Sequence, residues 1–180
     1  IRRQRQMCIR DRPYPVSLLT QTEMRIHAEH SVSRGKAAIL KAWLLKNGSN
    51  PQYKEVIDVQ LNEQTNYAPY VLGRLFAVLE SLQQKANPGI NATIMDRYFN
   101  AACATPSIVF PTLLKLAQSH LKKLDTGYFI YYDKQMTELC GRLTDSYPAR
   151  LNLQDQGIFQ LGYYHQKQKF FTKKEENSNV

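Results

Sequence analysis

The chain has 180 residues, with 24 lysines and arginines against 15 acids, a net charge of +9, and 43% hydrophobic residues. That apolar content is enough for the core of one domain, with or without an arm, and it excludes a disordered tail. No apolar run approaches the roughly 20 residues that span a bilayer and no lipidation motif is present, so a membrane is not an expected partner. Cys8, Cys103 and Cys140 are odd in number, widely separated and without a C-x-x-C pair. A reducing compartment, the cytoplasm, is therefore expected rather than a disulfide frame.

Residues 1–12 hold Arg2, Arg3, Arg5, Arg10 and Arg12 against Asp11, so +4 of the +9 sits there and the rest of the chain is modestly basic. The segment has neither the apolar centre of a signal peptide nor a helical stripe, and it is similar to translated adapter sequence. It is expected to be a non-native or disordered leader, the alternative being a basic arm on nucleic acid. With no methionine at position 1, a fragment of a longer protein is expected.

Residues 13–48 read as a helical hairpin arm. Its first helix aligns Leu18, Leu19, Thr22, Ile26 and His27 and ends near Ser31. Its second, from about Lys36 to Lys46, turns Ile39, Leu40, Trp43 and Leu44 inward and Lys36, Lys41 and Lys46 outward, stopping at Asn47-Gly48. Residues 49–65 are a polar connector containing Pro51, in which Val56, Ile57, Val59 and Leu61 allow a short strand or turn.

Residues 66–174 read as a bundle of about five helices, and 175–180 as a disordered tail, giving an all-α fold. Asn66 is placed to cap a helix with Pro69 in its first turn and Leu72, Leu75, Phe76, Leu79 and Leu82 on its apolar face, ended by Asn87-Pro88-Gly89. Asn91 or Thr93 starts a shorter helix through Tyr98 and Cys103. Thr105-Pro106 opens the next, with Val109, Leu113, Leu116, His120 and Leu124 inward and Lys115, Gln118 and Lys122 outward. After a break at Asp125-Thr126-Gly127, a helix runs from about Tyr128 to Thr144.

Asn152 caps the last helix, with Asp155 in its first turn. There Ile158, Leu161 and His165 form a face for packing on protein, and Gly162, Gln166, Lys169 and Lys173 a face for an anion. Gly73, Gly141, Gly157 and Gly162 fall inside helices, where each costs roughly 1 kcal/mol relative to alanine, so close helix crossings are expected at them.

Enzyme chemistry finds little support. Glu23, His27 and His30 have the i, i+3 and i, i+4 spacing of metal ligands on a helix, but no second ligand cluster answers them, and His120 and His165 stand alone. A small metal-dependent hydrolase using His27 and His30 is the alternative they leave. No phosphate-binding glycine loop and no G-x-S-x-G elbow occur. Cys103 sits among small apolar residues, Cys140 lacks a neighbouring histidine, and the carboxylates are scattered. A non-catalytic protein with no cofactor, metal or small-molecule substrate is expected.

Four stretches carry a resemblance: Tyr70-Val-Leu-Gly-Arg-Leu-Phe-Ala-Val-Leu-Glu80, Asn91-Ala-Thr-Ile-Met-Asp-Arg-Tyr98, Ala104-Thr-Pro-Ser-Ile-Val-Phe-Pro111 and Gln156-Gly-Ile-Phe-Gln-Leu-Gly-Tyr-Tyr-His-Gln166. In this order and spacing they resemble the C-terminal part of the large subunit of the type I-C CRISPR effector complex. The likeness is strongest over Asn66 to Lys174, and Pro13 to Asn47 is similar to the region preceding it. The resemblance implies a helical segment like the internally translated small subunit, lining the complex beside guide RNA and the target and non-target DNA strands. It also implies other CRISPR effector subunits as partners, with cleavage left to a recruited helicase-nuclease. Ser119-His120 departs from the paired histidines of many relatives, which puts a role for His120 in doubt.

Phosphate backbones are held by outward cations, for which Arg74, Arg97, Lys115, Lys122, Lys123, Arg142, Lys167, Lys169 and Lys173 are the candidates. Arg74 and Arg97 lie inside the matching stretches, yet each has an acid close in sequence, Glu80 and Asp96, so ion pairing competes. A lysine row can equally be a solvated helix face, leaving a purely architectural module as the other alternative. Tyr131, Tyr132, Tyr163 and Tyr164 could stack on unpaired bases or bury their rings.

Overall fold

A computed structural model describes residues 30–47, 53, 61–143 and 146–178, with side chains described for 35–46, 53, 61–143 and 146–170. The first helix of the expected hairpin, His27, and residues 54–60 of the connector lie outside these. The described residues form six helices and no strand: α1 (His30–Asn47), α2 (Ala68–Ala86), α3 (Ile94–Ala104), α4 (Pro106–Leu121), α5 (Thr126–Gly141) and α6 (Leu153–Ser178). The fold is all-α, as its periodicity indicates.

Helix starts follow from local chemistry. At α3 the Thr93 side chain accepts from the Asp96 N–H (3.3 Å) and Asp96 accepts from the Thr93 N–H (2.8 Å), a reciprocal capping box. Asn152 Oδ1 accepts from the Asp155 N–H (2.8 Å) at the head of α6. Asp125, read as part of a chain break, instead caps α5 by accepting from the Tyr128 N–H (3.0 Å). That moves the start of α5 forward to Thr126, and the helix closes at Gly141 rather than Thr144.

The start of α2 also differs from expectation. Its N-cap is Tyr67, not Asn66, because the entering chain is braced differently: Asn62 Oδ1 accepts from the N–H groups of Gln64 and Thr65, and Thr65 Oγ1 from that of Tyr67. α1 likewise begins at His30, ahead of the expected Lys36. Within it Leu40 and Leu44 are buried, but Ile39, expected inward, is 56% exposed. α1 meets the bundle along α6, and Ile39 lies off the arc containing Leu40 and Leu44.

α6 is the centre of the molecule. Every residue from 157 to 166 is buried, with α2 packed on it from one side and α1 from another. This corrects the two-faced reading of that helix: Gly162 and Gln166 face α2, not an anion. The two helices cross through reciprocal glycines. A Cβ on Gly73 would fall within 3 Å of Phe159 carbonyl atoms and the Tyr163 nitrogen, and one on Gly162 would strike the Tyr70 carbonyl. Gly157 touches Leu44 of α1 at 3.2 Å from where its Cβ would stand, whereas Gly141 faces open space and marks no crossing.

Around that crossing Phe76, Phe99, Phe159 and Tyr163 form edge-to-face ring pairs with centroids 5.1–6.1 Å apart. α4 contributes Val109, Phe110, Leu113, Ala117 and Leu121 to the core. It packs on both α2 and α3, which turns the buried arc toward Phe110 and Ala117 and leaves Leu116, expected inward, at the exposed margin. Tyr53 in the connector is buried, and its hydroxyl shares Asp155 with that of Tyr67, so this part of the connector is anchored to the head of α6.

Candidate nucleic-acid interface

The nine candidate cations fall into distinct environments. Arg74 is interior, 3% exposed, donating from Nε to Gln166 Oε1 (3.0 Å) and from a terminal nitrogen to the Asn62 carbonyl (3.3 Å). Burial pushes its pKa down. Its role in this structure is to lock α2 to α6 at the level of Gln166.

Three more are engaged with carboxylates. Lys167 Nζ lies 3.0 Å from Glu80 Oε2, with side chains 19% and 6% exposed. The same Glu80 oxygen accepts from the Tyr163 hydroxyl (2.7 Å), so one buried carboxylate satisfies two groups of α6. Arg142 pairs with Glu138 one turn earlier at 3.2 Å, and Lys169 pairs with Glu63. Lys173 lies within α6, its side chain beyond those described.

The remaining four face outward. Arg97 on α3 is exposed; its neighbour Asp96 is occupied by the capping box, so the expected Arg97–Asp96 pair does not form. Lys115 and Gln118 of α4 and Lys122 at its C-cap are all exposed, on one side of the helix. Among the described residues no carboxylate lies within ion-pairing distance of Arg97, Lys115 or Lys122. Lys115 also borders an open groove of about 590 Å³ between α4 and α5, with Gln118, Asp133 and Met136 on its walls.

Lys123 donates to Asn87 Oδ1 (2.8 Å), and the Asn87 amide nitrogen lies 3.1 Å from His120 Nδ1. A residue whose sequence role is only to end α2 thus gathers the end of α4. Burial first, and Lys123 second, lower the His120 pKa. Beside this corner, Lys85 of α2 places its ammonium 3.9 Å from the ring centroid of Tyr128 on α5. Lys85 is not among the nine candidates; it is exposed in the last turn of α2, three residues after the buried Leu82, and nothing in the local pattern singles it out.

The polar interior is structural. Tyr70 Oη receives the Asn62 N–H (3.1 Å), which leaves its own proton for His165 Nδ1 (2.8 Å). His165 is accordingly a neutral acceptor, and burial, with Lys41 adding repulsion, pushes its pKa down to about 4. Burial pushes the Cys103 thiol up to about 12, the reverse of an activated nucleophile. Tyr132, Tyr163 and Tyr164 bury their rings, while Tyr131 stays exposed. Among the described residues no group of three or more histidines, cysteines or acids is placed to hold a metal, and the side chains of His27 and His30 lie outside them. No described helix is long and apolar enough to cross a membrane.

The described residues thus form an all-α bundle whose polar core is largely satisfied, Gln160 Oε1 being a buried atom of α6 without a hydrogen-bond partner, with exposed cations on α3 and on and just past α4. The protein-family model described as CRISPR-associated protein (Cas_Csd1) matches residues 3–171. The chain belongs to this CRISPR-associated family. No curated protein matches it.

Proposed function

We propose that the chain is a non-catalytic subunit region of a type I-C CRISPR surveillance complex, acting in the cytoplasm in antiviral defence. It holds guide RNA and the target and non-target DNA strands by their backbones and packs on neighbouring effector subunits. Family membership supports the system. The observation that carries the binding role is the group Lys115 on α4 with Lys122 and Lys123 just past its end, all exposed, in a chain whose other candidate cations are largely engaged internally. A point charge on an outer helix and two adjacent ones about two turns further on, at its C-terminal end, suit phosphates of one backbone and give sequence-independent affinity, while guide pairing reads sequence. Arg97 is the arginine suited to a bidentate phosphate contact.

The test is filter binding of the full chain to single-stranded DNA and RNA at rising salt. Each lost phosphate contact lowers the slope of log affinity against log salt by about 0.7 for single strands. Replacing Lys115, Lys122 and Lys123 together by alanine should flatten the slope by about 2. Affinity without steep salt dependence, or a slope indifferent to the three replacements, refutes the role. The interior or paired state of Arg74, Arg142, Lys167 and Lys169 favours a second reading, a purely architectural module, which that refuting result would leave standing.

A further inference from the structure

Where α2 stops beside the end of α4, the side-chain amide of the C-cap Asn87 is held at both ends. Its Oδ1 accepts from the Lys123 ammonium (2.8 Å), while its Nδ2 lies 3.1 Å from His120 Nδ1 and donates to the Gln83 carbonyl (3.5 Å). An ammonium has nothing but donors and a carbonyl nothing but an acceptor, so the amide has one orientation here. Its N–H therefore points at His120 Nδ1, which accepts, and the ring is neutral with its proton on Nε2. A histidine in the last turn of a helix ordinarily gains from protonation, because the carbonyl end of the dipole favours a cation. His120 occupies that place in α4, yet burial first, and Lys123 second, hold its pKa below the usual 6.5. On the neighbouring elements, Lys85 stands in the last turn of α2, Asp96 and Arg97 are exposed on α3, and Asp125 caps α5. Among the described residues Lys123 is the one charged group that acts on His120.

We propose that Lys123, Asn87 and His120 form a relay through which a nucleic-acid phosphate bound by Lys123 draws a proton from solvent onto His120 Nδ1. The inference rests on the phosphate-binding role given to Lys123 above and adds its regulation. With the ammonium on Asn87 the proton is excluded, since a protonated Nδ1 would set its N–H against the amide N–H and place a second charge beside Lys123. A phosphate that takes up the ammonium leaves Asn87 Oδ1 without its donor. The amide then turns over, giving up its long bond to the Gln83 carbonyl, and Oδ1 accepts from the protonated Nδ1. That carbonyl keeps the Asn87 backbone N–H (2.9 Å), so the end of α2 is not undone. The imidazolium stands one helical turn from Lys123 and adds a cation beside the phosphate. Coupling of this kind is reciprocal: the strand raises the proton affinity of His120, and acid tightens the strand. The added affinity is present at low pH and is lost as pH rises through the value at which His120 titrates in the bound state.

The experiment uses the full chain and an abasic single strand, which offers phosphates without bases. NMR titration of the His120 ring is run with and without the strand, and strand affinity is read by fluorescence anisotropy from pH 7.5 to pH 5.5. His165, with a pKa of about 4, stays neutral over that range. His120 should titrate at a higher pH with the strand bound, and affinity should rise about five- to tenfold toward the acid end, the lower part of the usual range for linked sites. In the free chain Lys123→Ala should raise the pH at which His120 titrates, and the strand should then no longer shift it. His120→Gln should flatten the pH dependence of affinity, His27 and His30 being common to both proteins. Melting temperatures confirm that both variants fold. Salt-dependent binding with a His120 titration indifferent to the strand would overturn the relay and leave the phosphate role standing. Acid tightening that survives His120→Gln, or a free-chain titration unmoved by Lys123→Ala, would do the same. No binding of the abasic strand at any pH would overturn both.

Discussion

Gly73→Ala should destabilise the protein although it replaces a poor helix former with the best one. The new methyl carbon would meet the Phe159 carbonyl oxygen and carbon and the Tyr163 nitrogen, all backbone, so no flexible side-chain end can swing away. Restoring ordinary contact requires α2 and α6 to part by about 1.5 Å, and a gap of 0.5–1 Å already forfeits about a quarter to a half of each dispersion contact. The fully buried Tyr70, Phe76 and Phe159 line that seam. Overpacking costs about 1–3 kcal/mol, and backbone on both sides puts this site at or above the upper end; alanine recovers at most about 1 kcal/mol of helix propensity. A net loss of about 2–3 kcal/mol lowers the melting temperature by about 5–10 °C for a chain of this size. Thermal and urea unfolding followed by far-UV circular dichroism measure it. Gly141→Ala, facing open space without a positive φ, is the control and should be neutral or slightly stabilising. A Gly73→Ala protein as stable as the wild type, or a control that loses as much, would refute the reasoning.

His165 titrates at about 4 when folded against an ordinary value of 6.5, so the unfolded chain binds the extra proton between these values. Its contribution is therefore complete above pH 6.5 and is lost as pH falls toward 4, by roughly 3 kcal/mol across the window. Urea midpoints should drop from pH 7 to pH 4.5, and His165→Gln should flatten that slope; an identical slope in the variant counts against it. Arg74→Ala should cost about 2–4 kcal/mol by leaving Gln166 and the Asn62 carbonyl unpaired in the interior, yet leave the affinity of the folded protein for single strands unchanged. A selective loss of affinity with normal stability would reverse that assignment. Cys103, buried with a thiol raised to about 12, should resist iodoacetamide until the chain unfolds, as read by peptide mass spectrometry; rapid native alkylation would contradict its burial.

What the sequence revealed was what depends on near neighbours. The Thr93 cap, Asn152 with Asp155, and the outward row Lys115, Gln118 and Lys122 need only a few residues or one helical period, and each stands where those rules put it. Tertiary pairing was not legible. Glu80 meets Lys167 across 87 positions and Arg74 meets Gln166 across 92, so cations that look outward on a helical wheel are drawn inward by partners no local pattern shows. The same limit explains α6. Its glutamines, tyrosines and histidine read as half polar, but a helix enclosed by α1 and α2 buries them and gives His165, Gln166 and Tyr163 hydrogen-bond partners on α2. Ile39 and Leu116 erred the other way, because hydrophobicity does not say which side a neighbour will occupy.

The place of α6 in the chain sets translation against assembly. α2 leaves the ribosome before its main partner has been made, and 66 residues separate the end of one helix from the start of the other. Until then the nascent Tyr70–Leu82 surface has α3, α4 and α5 to shield it but not α6, and the glycine notch at position 73 stands unfilled. Such delayed closure favours slow maturation and chaperone attendance, and expression conditions that stall elongation late should yield insoluble intermediates rather than a smaller folded product.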